Sequence, residues 1–224
     1  AGLATGDFNN DGLLDLYMVS NQNSNKLFVN EGGLKFKELR EESLTIEQGW
    51  SNGVNIVDVN ADGFMDIYLS RGGTYEGAAK RKNLLFINNG DLTFTESAAQ
   101  YGLADTGYGI QSYFFDYDRD GDLDMYMMNH RDDFVNKNTI TFLRDEKPQD
   151  FDPASRDRLY RNDNGKFRDV SDGAGIVNSA WGLSVVAGDF NEDGWEDIYV
   201  ANDYLSPDLL YINNKNGTFT ESIE

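Results

Sequence analysis

Apolar and polar positions along the chain alternate in short bursts, not at helical spacing. Four times an apolar residue, a Tyr and another apolar residue follow an acidic stretch: Leu16-Tyr17-Met18, Ile67-Tyr68-Leu69, Met125-Tyr126-Met127 and Ile198-Tyr199-Val200. A second burst, ending in Asn, comes further on each time: Leu27-Phe28-Val29-Asn30, Leu85-Phe86-Ile87-Asn88, Leu159-Tyr160-Arg161-Asn162 and Leu210-Tyr211-Ile212-Asn213. A Gly/Asn/Asp-rich turn then leads to Phe36, Phe94, Phe167 or Phe219. Short runs rich in aromatic and β-branched residues between turn residues are the signature of strands. Each repeat therefore offers four strands, placed in the second repeat at Gly53–Asp58, Asp66–Arg71, Asn83–Asn88 and Leu92–Ser97. Short turns between the first and second strands, and between the third and fourth, predict an antiparallel meander.

The spacing sharpens this picture. From each Phe to the acidic stretch of the next repeat is 22 residues in all three cases. From the end of the acidic stretch to the Phe is 21, 28, 43 and 22 residues, so the length variation falls between the second and third strands. A four-stranded meander recurring at about 50 residues is the pattern of a β-propeller blade. The predicted class is all-β, with blades at about 1–49, 50–107, 108–180 and 181–224 and insertions at about 72–82 and 129–157. In such a meander the acidic turns emerge on one face, and the insertions and blade links on the other.

The acidic stretches carry the candidate chemistry. Asp7–Asp15, Asp58–Asp66, Asp116–Asp124 and Asp189–Asp197 all read D-x-[DN]-x-D-G-x-x-D. Oxygen atoms at alternate positions of a tight loop can converge on one hard cation. Positions one, three and five offer side chains: Asp7, Asn9 and Asp11; Asp58, Asn60 and Asp62; Asp116, Asp118 and Asp120; Asp189, Asn191 and Asp193. Position seven, which is Leu13, Phe64, Asp122 or Trp195, would give its backbone carbonyl. Position nine adds Asp15, Asp66, Asp124 or Asp197, and a Gly at position six suits a sharp turn of positive φ. Oxygen donors without His or Cys favour Ca²⁺ over zinc or copper, and Mg²⁺ prefers a smaller octahedral shell. About four Ca²⁺ are expected, one per repeat. An EF-hand or dockerin-type loop would need an acid at position twelve and a following helix. Met18, Leu69, Met127 and Val200 stand there, in strand-like text. Plain acidic turns are the simpler reading of one such loop. Four copies in register argue against it, because unneutralised carboxylates crowded together repel.

Composition changes the picture in one respect. The net charge of −20 (39 Asp and Glu against 19 Lys and Arg) argues against nucleic acid and anionic membrane as partners. Four Ca²⁺ would move the formal charge to −12. Aromatic content of 13% sets the chain apart from acidic disordered segments. Cysteine is absent, which excludes disulfides and thiolate sites, and no apolar run approaches a membrane span.

The loops resemble the FG-GAP/VCBS repeats of integrin-α-type propellers. The text from Ala180 to Asn202 and from Arg158 to Phe167 is similar to the VCBS-repeat region of the ASPIC/UnbV (cartilage acidic protein-like) family. The resemblance implies calcium-loaded blades. It also implies a secreted or lipid-anchored protein of the extracellular space or cell surface, the bacterial outer-membrane surface included. Such propellers usually close with seven blades, so four repeats imply part of a larger ring; a closed four-bladed ring is the alternative.

Two features address function. Trp50, Tyr108 and Trp181 each lie eight residues before a loop. They could form a platform for a sugar ring, but blade packing is the expected use of large aromatics. The insertions are the better candidates, since loops carry binding. The first holds Lys80, Arg81 and Lys82, and the second holds His130, Arg131, Asp132 and Asp133. No recognisable Ser-His-Asp set, phosphate loop or zinc triad is present. The reading is a non-catalytic, calcium-stabilised module that binds a protein or glycan ligand. A polysaccharide lyase or hydrolase with its site on the insertion face is the alternative, and a subunit of a larger surface complex a third reading.

Overall fold

The computed structural model describes residues 2–21, 23–45, 49–73, 77–131, 151–203 and 206–223. Among these the protein is all-β apart from single helical turns. Sixteen strands form four separate four-stranded antiparallel sheets, each a meander in chain order, which is the blade unit of a propeller. The first sheet is β1 Leu3–Gly6, β2 Asp15–Met18, β3 Lys26–Asn30 and β4 Phe36–Leu39. The second is β5 Trp50–Val57, β6 Asp66–Gly72, β7 Leu84–Asn88 and β8 Phe94–Glu96. The third is β9 Gly109–Phe115, β10 Asp124–Asn129, β11 Arg158–Asn162 and β12 Phe167–Asp169. The fourth is β13 Gly182–Gly188, β14 Asp197–Asn202, β15 Leu209–Asn213 and β16 Phe219–Glu221.

The first strand of the second sheet begins at Trp50, three residues before the sequence pattern placed it. Its register against β6 shifts between Ser51 and Gly53, and this lets pairing run on to Trp50 opposite Gly72. The third and fourth sheets shift register at the corresponding place, beside Asn129 and between Gly182 and Ser184. An extra residue here bends the strand away from the acidic turn, at the opposite end of the sheet.

The chain divides into two compact units, Ala1–Thr106 and Gly107–Glu224. In the first unit, Phe8, Tyr17 and Leu27 of the first sheet pack against Ile67, Leu69, Phe86 and Phe94 of the second. In the other unit, Tyr117, Tyr126, Met128 and Leu159 pack against Val185, Ile198, Val200, Tyr211 and Phe219. Aromatic pairs cross both junctions: Phe8 and Phe94 edge to face at 6.0 Å, Tyr117 and Phe219 tilted at 5.7 Å. Burying each such side chain contributes about 1.5–3 kcal/mol. One-turn helices follow the outer strands of the second and third sheets, α1 at Ala98–Tyr101 and α2 at Ser171–Ala174. Each is closed by a left-handed Gly, Gly102 or Gly175, before a buried Leu103 or Ile176.

A polar clasp ties the second strand of every sheet to its third. The second-strand tyrosine hydroxyl meets the side chain just before the third strand. Tyr17 and Tyr68 accept from Asn25 and Asn83 at 3.2 and 3.0 Å. Tyr126 and Tyr199 donate to Asp157 and Asp208. The same Asx residue accepts a backbone N–H from the far end of the connection: Ser20, Arg71, Asn129 or Asn202. Each variable insertion thus springs from a base closed by two hydrogen bonds, and its length can change without disturbing the sheet.

Candidate metal centres

Each acidic nonapeptide forms the hairpin between the first and second strands of its sheet. The strand register ends at Gly6 opposite Asp15, Val57 opposite Asp66, Phe115 opposite Asp124 and Gly188 opposite Asp197. The position-six glycines Gly12, Gly63, Gly121 and Gly194 have φ between +84° and +96°, as the sharp turn requires. Position four is left-handed too, at Asn10, Ala61, Arg119 and Glu192. Two left-handed residues two apart curl the loop so that its carboxylates turn inward. The position-four conformation was not foreseen from sequence, because Ala, Arg and Glu give no hint of it.

Backbone amides organise the carboxylates in three of the loops identically. Asp7, Asp58 and Asp189 each accept the N–H groups of positions five and six at 2.8–3.1 Å. Asp11, Asp62 and Asp193 each accept the N–H of position seven. The asparagines at position three bridge to position five, with Nδ2 donating to the carboxylate at 2.9 Å. The side chains of position seven turn toward the adjacent turn between the third and fourth strands. The Phe64 ring lies against Gly90, and Asp122 accepts the N–H of Asn164. Their variety is what a backbone-only contribution allows.

The third loop differs. Aspartate replaces asparagine at position three, and no amide proton is available to bridge Asp118 to Asp120. One carboxylate oxygen from each of Asp116, Asp118 and Asp120 lies within 4.8 Å of the other two. Oδ1 of Asp116 and Oδ1 of Asp118 are both buried without a hydrogen-bond partner. Burial, and then repulsion from Asp120, hold the Asp118 carboxyl above its ordinary range. The donor set of this cluster is oxygen only, the kind that hard cations such as Ca²⁺ favour.

The position-nine aspartates hold the deepest place. Asp15, Asp66, Asp124 and Asp197 are fully buried. One oxygen accepts the position-two N–H and the other the N–H of the Asn that ends the third strand. Burial pushes the Asp66 carboxyl up to about 6 and the Asp124 carboxyl up to about 8, with the loop's own aspartates adding to the rise and the backbone N–H groups opposing it. Asp15 is raised by the same causes. These four side chains brace the loop as well as facing it.

The same third-strand asparagines extend the brace. Asn30, Asn88, Asn162 and Asn213 donate through Nδ2 to the position-eight carbonyl of their own loop. Asn88 and Asn213 also donate, at 2.9 Å, to Phe8 and Tyr117 carbonyls in the preceding loop of their unit. Neighbouring loops meet directly as well. Asn10 donates to the Gly63 carbonyl, and the Arg119 guanidinium lies 4.8 Å over the Trp195 ring. The loops are therefore mechanically joined in pairs within each unit. The terminal Asn of the third strand was legible as a repeated letter, but its role was not.

The other candidates are placed less conspicuously. Trp181 is fully buried, with the Arg131 guanidinium 5.3 Å from its ring; Trp50 and Tyr108 are half-buried. His130 follows β10 and forms an isolated antiparallel bridge to Trp181, just before β13, and its Nδ1 lies 2.6 Å from the Arg131 carbonyl. Asp132 and Asp133 fall outside the described residues, as do 74–76 and 134–150 of the insertions. Arg81 donates to the Thr106 carbonyl, and Lys82 pairs with Glu96 at 3.4 Å. A groove of about 810 Å³ lies beside the third loop, at the base of the longer insertion. Arg156, Arg158, Arg161, Lys215 and Trp195 are among the residues that line it.

Four blade-type meanders with an acidic hairpin apiece define a repeat protein of the propeller-blade class. The family described as FG-GAP-like repeat matches residues 7–69, 75–127, 150–200 and 189–224. These matches cover most of the chain, and the protein belongs to that family. No curated protein matches the chain. The first three matched segments end at Leu69, Met127 and Val200, each just past an acidic hairpin and inside the strand that follows it.

Proposed function

We propose that this chain is a calcium-stabilised, extracellular blade module that presents a binding surface for a protein or glycan. The observation that carries the proposal is the loop geometry: four oxygen-rich hairpins, one of which holds two buried carboxylate oxygens without partners. The residues that would hold Ca²⁺ are those at positions one, three, five and nine, with the carbonyl of position seven. The ion's chemistry here is electrostatic: it supplies positive charge among carboxylates that otherwise repel. Asp15, Asp66, Asp124 and Asp197 would pass this stabilisation to the backbone of the third strand, because each binds an N–H there. The cation and the sheet would thus reinforce one another.

An extracellular setting fits sites of this kind, since extracellular modules bind Ca²⁺ at about 10⁻⁴–10⁻³ M. The likeness of the text around Trp181 and Tyr160 to ASPIC/UnbV-type repeats, and of the loops to integrin-α-type blades, supports the same reading. The groove beside Trp195 is the favoured ligand surface. Its cations sit in exposed ion pairs, such as Arg158 with Asp169 and Arg161 with Asp163. Exposed pairs contribute only about 0–1 kcal/mol, so a ligand's hydroxyl or carboxylate groups can replace the internal partner.

Calcium titration of chelator-treated protein by calorimetry tests the metal. The expected result is about four sites, with a melting temperature that falls on adding chelator. Heat-free titration together with an unchanged melt would refute it. Glycan-array and pull-down binding, repeated with Arg156→Ala and Arg161→Ala, tests the groove; binding that survives both substitutions would place the surface elsewhere.

A further inference from the structure

We propose that the groove beside the third sheet binds the carboxylate of an acidic sugar, with Arg156, Arg158 and Arg161 as the groups that recognise it. This rests on the reading of the groove as the ligand surface and adds the class of ligand. The whole lining lies in the unit Gly107–Glu224.

The four repeats supply their own comparison. The residue before the terminal Asn of the third strand is Val29, Ile87 or Ile212 in three sheets, and Arg161 in the third sheet. Four residues before that Asn stand Lys26, Leu84 and Leu209, against Arg158. Six before it stand Ser24, Lys82 and Pro207, against Arg156. The blade scaffold therefore requires arginine at none of the three places. In a chain of net charge −20, three guanidinium groups fall within six positions and line one groove. A guanidinium fork matches a carboxylate through two parallel hydrogen bonds, which a lysine does not.

The carboxylates that hold these arginines keep other partners when an incoming anion takes over. Arg161 pairs with Asp163 at 3.0 Å, and Asp163 also holds Arg168 at 3.1 Å. Arg158 pairs with Asp169 at 2.6 Å, and Asp169 also accepts the N–H and hydroxyl of Ser171. Arg156 pairs with Asp172, whose side chain is 81% exposed and returns to water on release. Arg156 also has its Nε buried without a hydrogen-bond partner. A buried donor left unpaired is costly, and a ligand oxygen would relieve that cost.

The groove's size and lining narrow the ligand. Its volume of about 810 Å³ falls within the range of small-molecule sites, about 300–1,000 Å³. Trp195 gives it an aromatic wall, and Ser171, Asn216 and Thr218 add polar side chains. A sugar ring offers an apolar face to the first and hydroxyls to the others. An acidic peptide offers the carboxylate without the ring. The negative charge of the rest of the chain repels a long polyanion, so the fit is to a saccharide with isolated acidic units.

Titration with glucuronate, followed through arginine Nε–Hε resonances by NMR at constant free calcium, tests this. The comparison probes are glucose, which lacks the charge, acetate, which lacks the ring, and a Gly-Glu-Gly peptide. Glucuronate is expected to shift the Arg156 and Arg161 resonances saturably and to bind about tenfold or more tightly than each other probe. Arg161→Ile and Arg158→Leu install the residues of the second and fourth repeats, so both are expected to fold. Each should weaken glucuronate binding by about tenfold with little change in melting temperature. If either fails to fold, Arg156→Lys takes its place; it keeps the charge, loses the fork, and should weaken binding likewise. Resonances that glucuronate leaves unmoved overturn the proposal. So does binding no tighter than that of glucose, acetate or the peptide, or binding that the substitutions do not weaken. If glucuronate fails while Arg156→Ala and Arg161→Ala abolish array or pull-down binding, the groove stands as the ligand surface and only the acidic sugar is refuted.

Discussion

Replacing Asp157 with Asn should make the protein more stable at pH 8 and less stable at pH 4. The side chain is 1% exposed at the base of the longer insertion. Its Oδ1 accepts the Asn129 N–H at 2.8 Å; its Oδ2 accepts the Tyr126 hydroxyl at 2.9 Å and Asn178 Nδ2 at 2.7 Å. Burial pushes this carboxyl up to about 6, and the three hydrogen bonds pull against that rise. The folded value lies above the unfolded one, so the favourable contribution is complete below about pH 4. It is lost as pH rises through 6. The rise of about two pH units corresponds to about 3 kcal/mol between those limits. Asparagine removes that term. The first two sheets show how it would sit: Asn25 and Asn83 occupy the same place, accept the same backbone N–H and donate to the tyrosine. The bond from Asn178 is lost, at a cost of about 0.5–1.5 kcal/mol. At pH 8 the substitution should therefore add about 1.5–2.5 kcal/mol, and at pH 4 it should remove about 0.5–1.5 kcal/mol. Urea unfolding of both proteins at a series of pH values, at constant free calcium, measures the difference. The wild-type minus variant stability should change by about 3 kcal/mol across the range. A difference that does not vary with pH would refute the assignment of a costly buried carboxylate.

Other outcomes follow from the loops and their braces. In chelator, protonation of Asp66 and Asp124 should stabilise the fold as pH falls from 8 toward 5, since both carboxyls are raised in the folded state. Protons compete for the same oxygens, so calcium affinity should fall over that range; calorimetry at pH 8 and pH 5.5 checks both signs. Asp118→Asn should give the third loop the amide bridge that the other three have, and weaken its calcium affinity by about tenfold or more through loss of one anionic ligand. An unchanged set of binding constants would count against the third loop's distinct role. Asn213→Ala removes donors to the Tyr117 and Glu196 carbonyls and should cost about 2–3 kcal/mol, read from urea midpoints. Tyr68→Phe leaves Asn83 Nδ2 and the Leu103 carbonyl, both bonded to the Tyr68 hydroxyl, without that buried partner, and should cost about 1–3 kcal/mol by the same measurement.

Much of this architecture is written locally. A hairpin's nine residues fix its own turn, and Leu-Tyr-x-Asn or Leu-Phe-x-Asn text fixes its own strand, so the repeats, the meander and the acidic loops could be read before any contact was known. The strand starts were less legible. Trp50 joins β5 only because a register shift lets it reach Gly72, and that depends on a partner strand. The Asx before each third strand was readable in principle. Asn25, Asn83, Asp157 and Asp208 all stand five residues before the terminal Asn. Nothing in a single residue type, however, announces that its partner is a tyrosine one strand away.

The order of residues by itself determined the number of repeats, the strand menu and the oxygen-rich character of the hairpins, because strands and tight turns depend on near neighbours and on side-chain chemistry. Tertiary structure alone decided which oxygens are buried, which carboxylates brace the backbone, and why the third loop stands apart with two unpartnered atoms. It also decided which apolar faces are covered within each unit. Those outcomes depend on groups far apart in the chain, such as Asn213 and Tyr117, being brought within hydrogen-bonding distance, where low dielectric and lost water give each contact its weight.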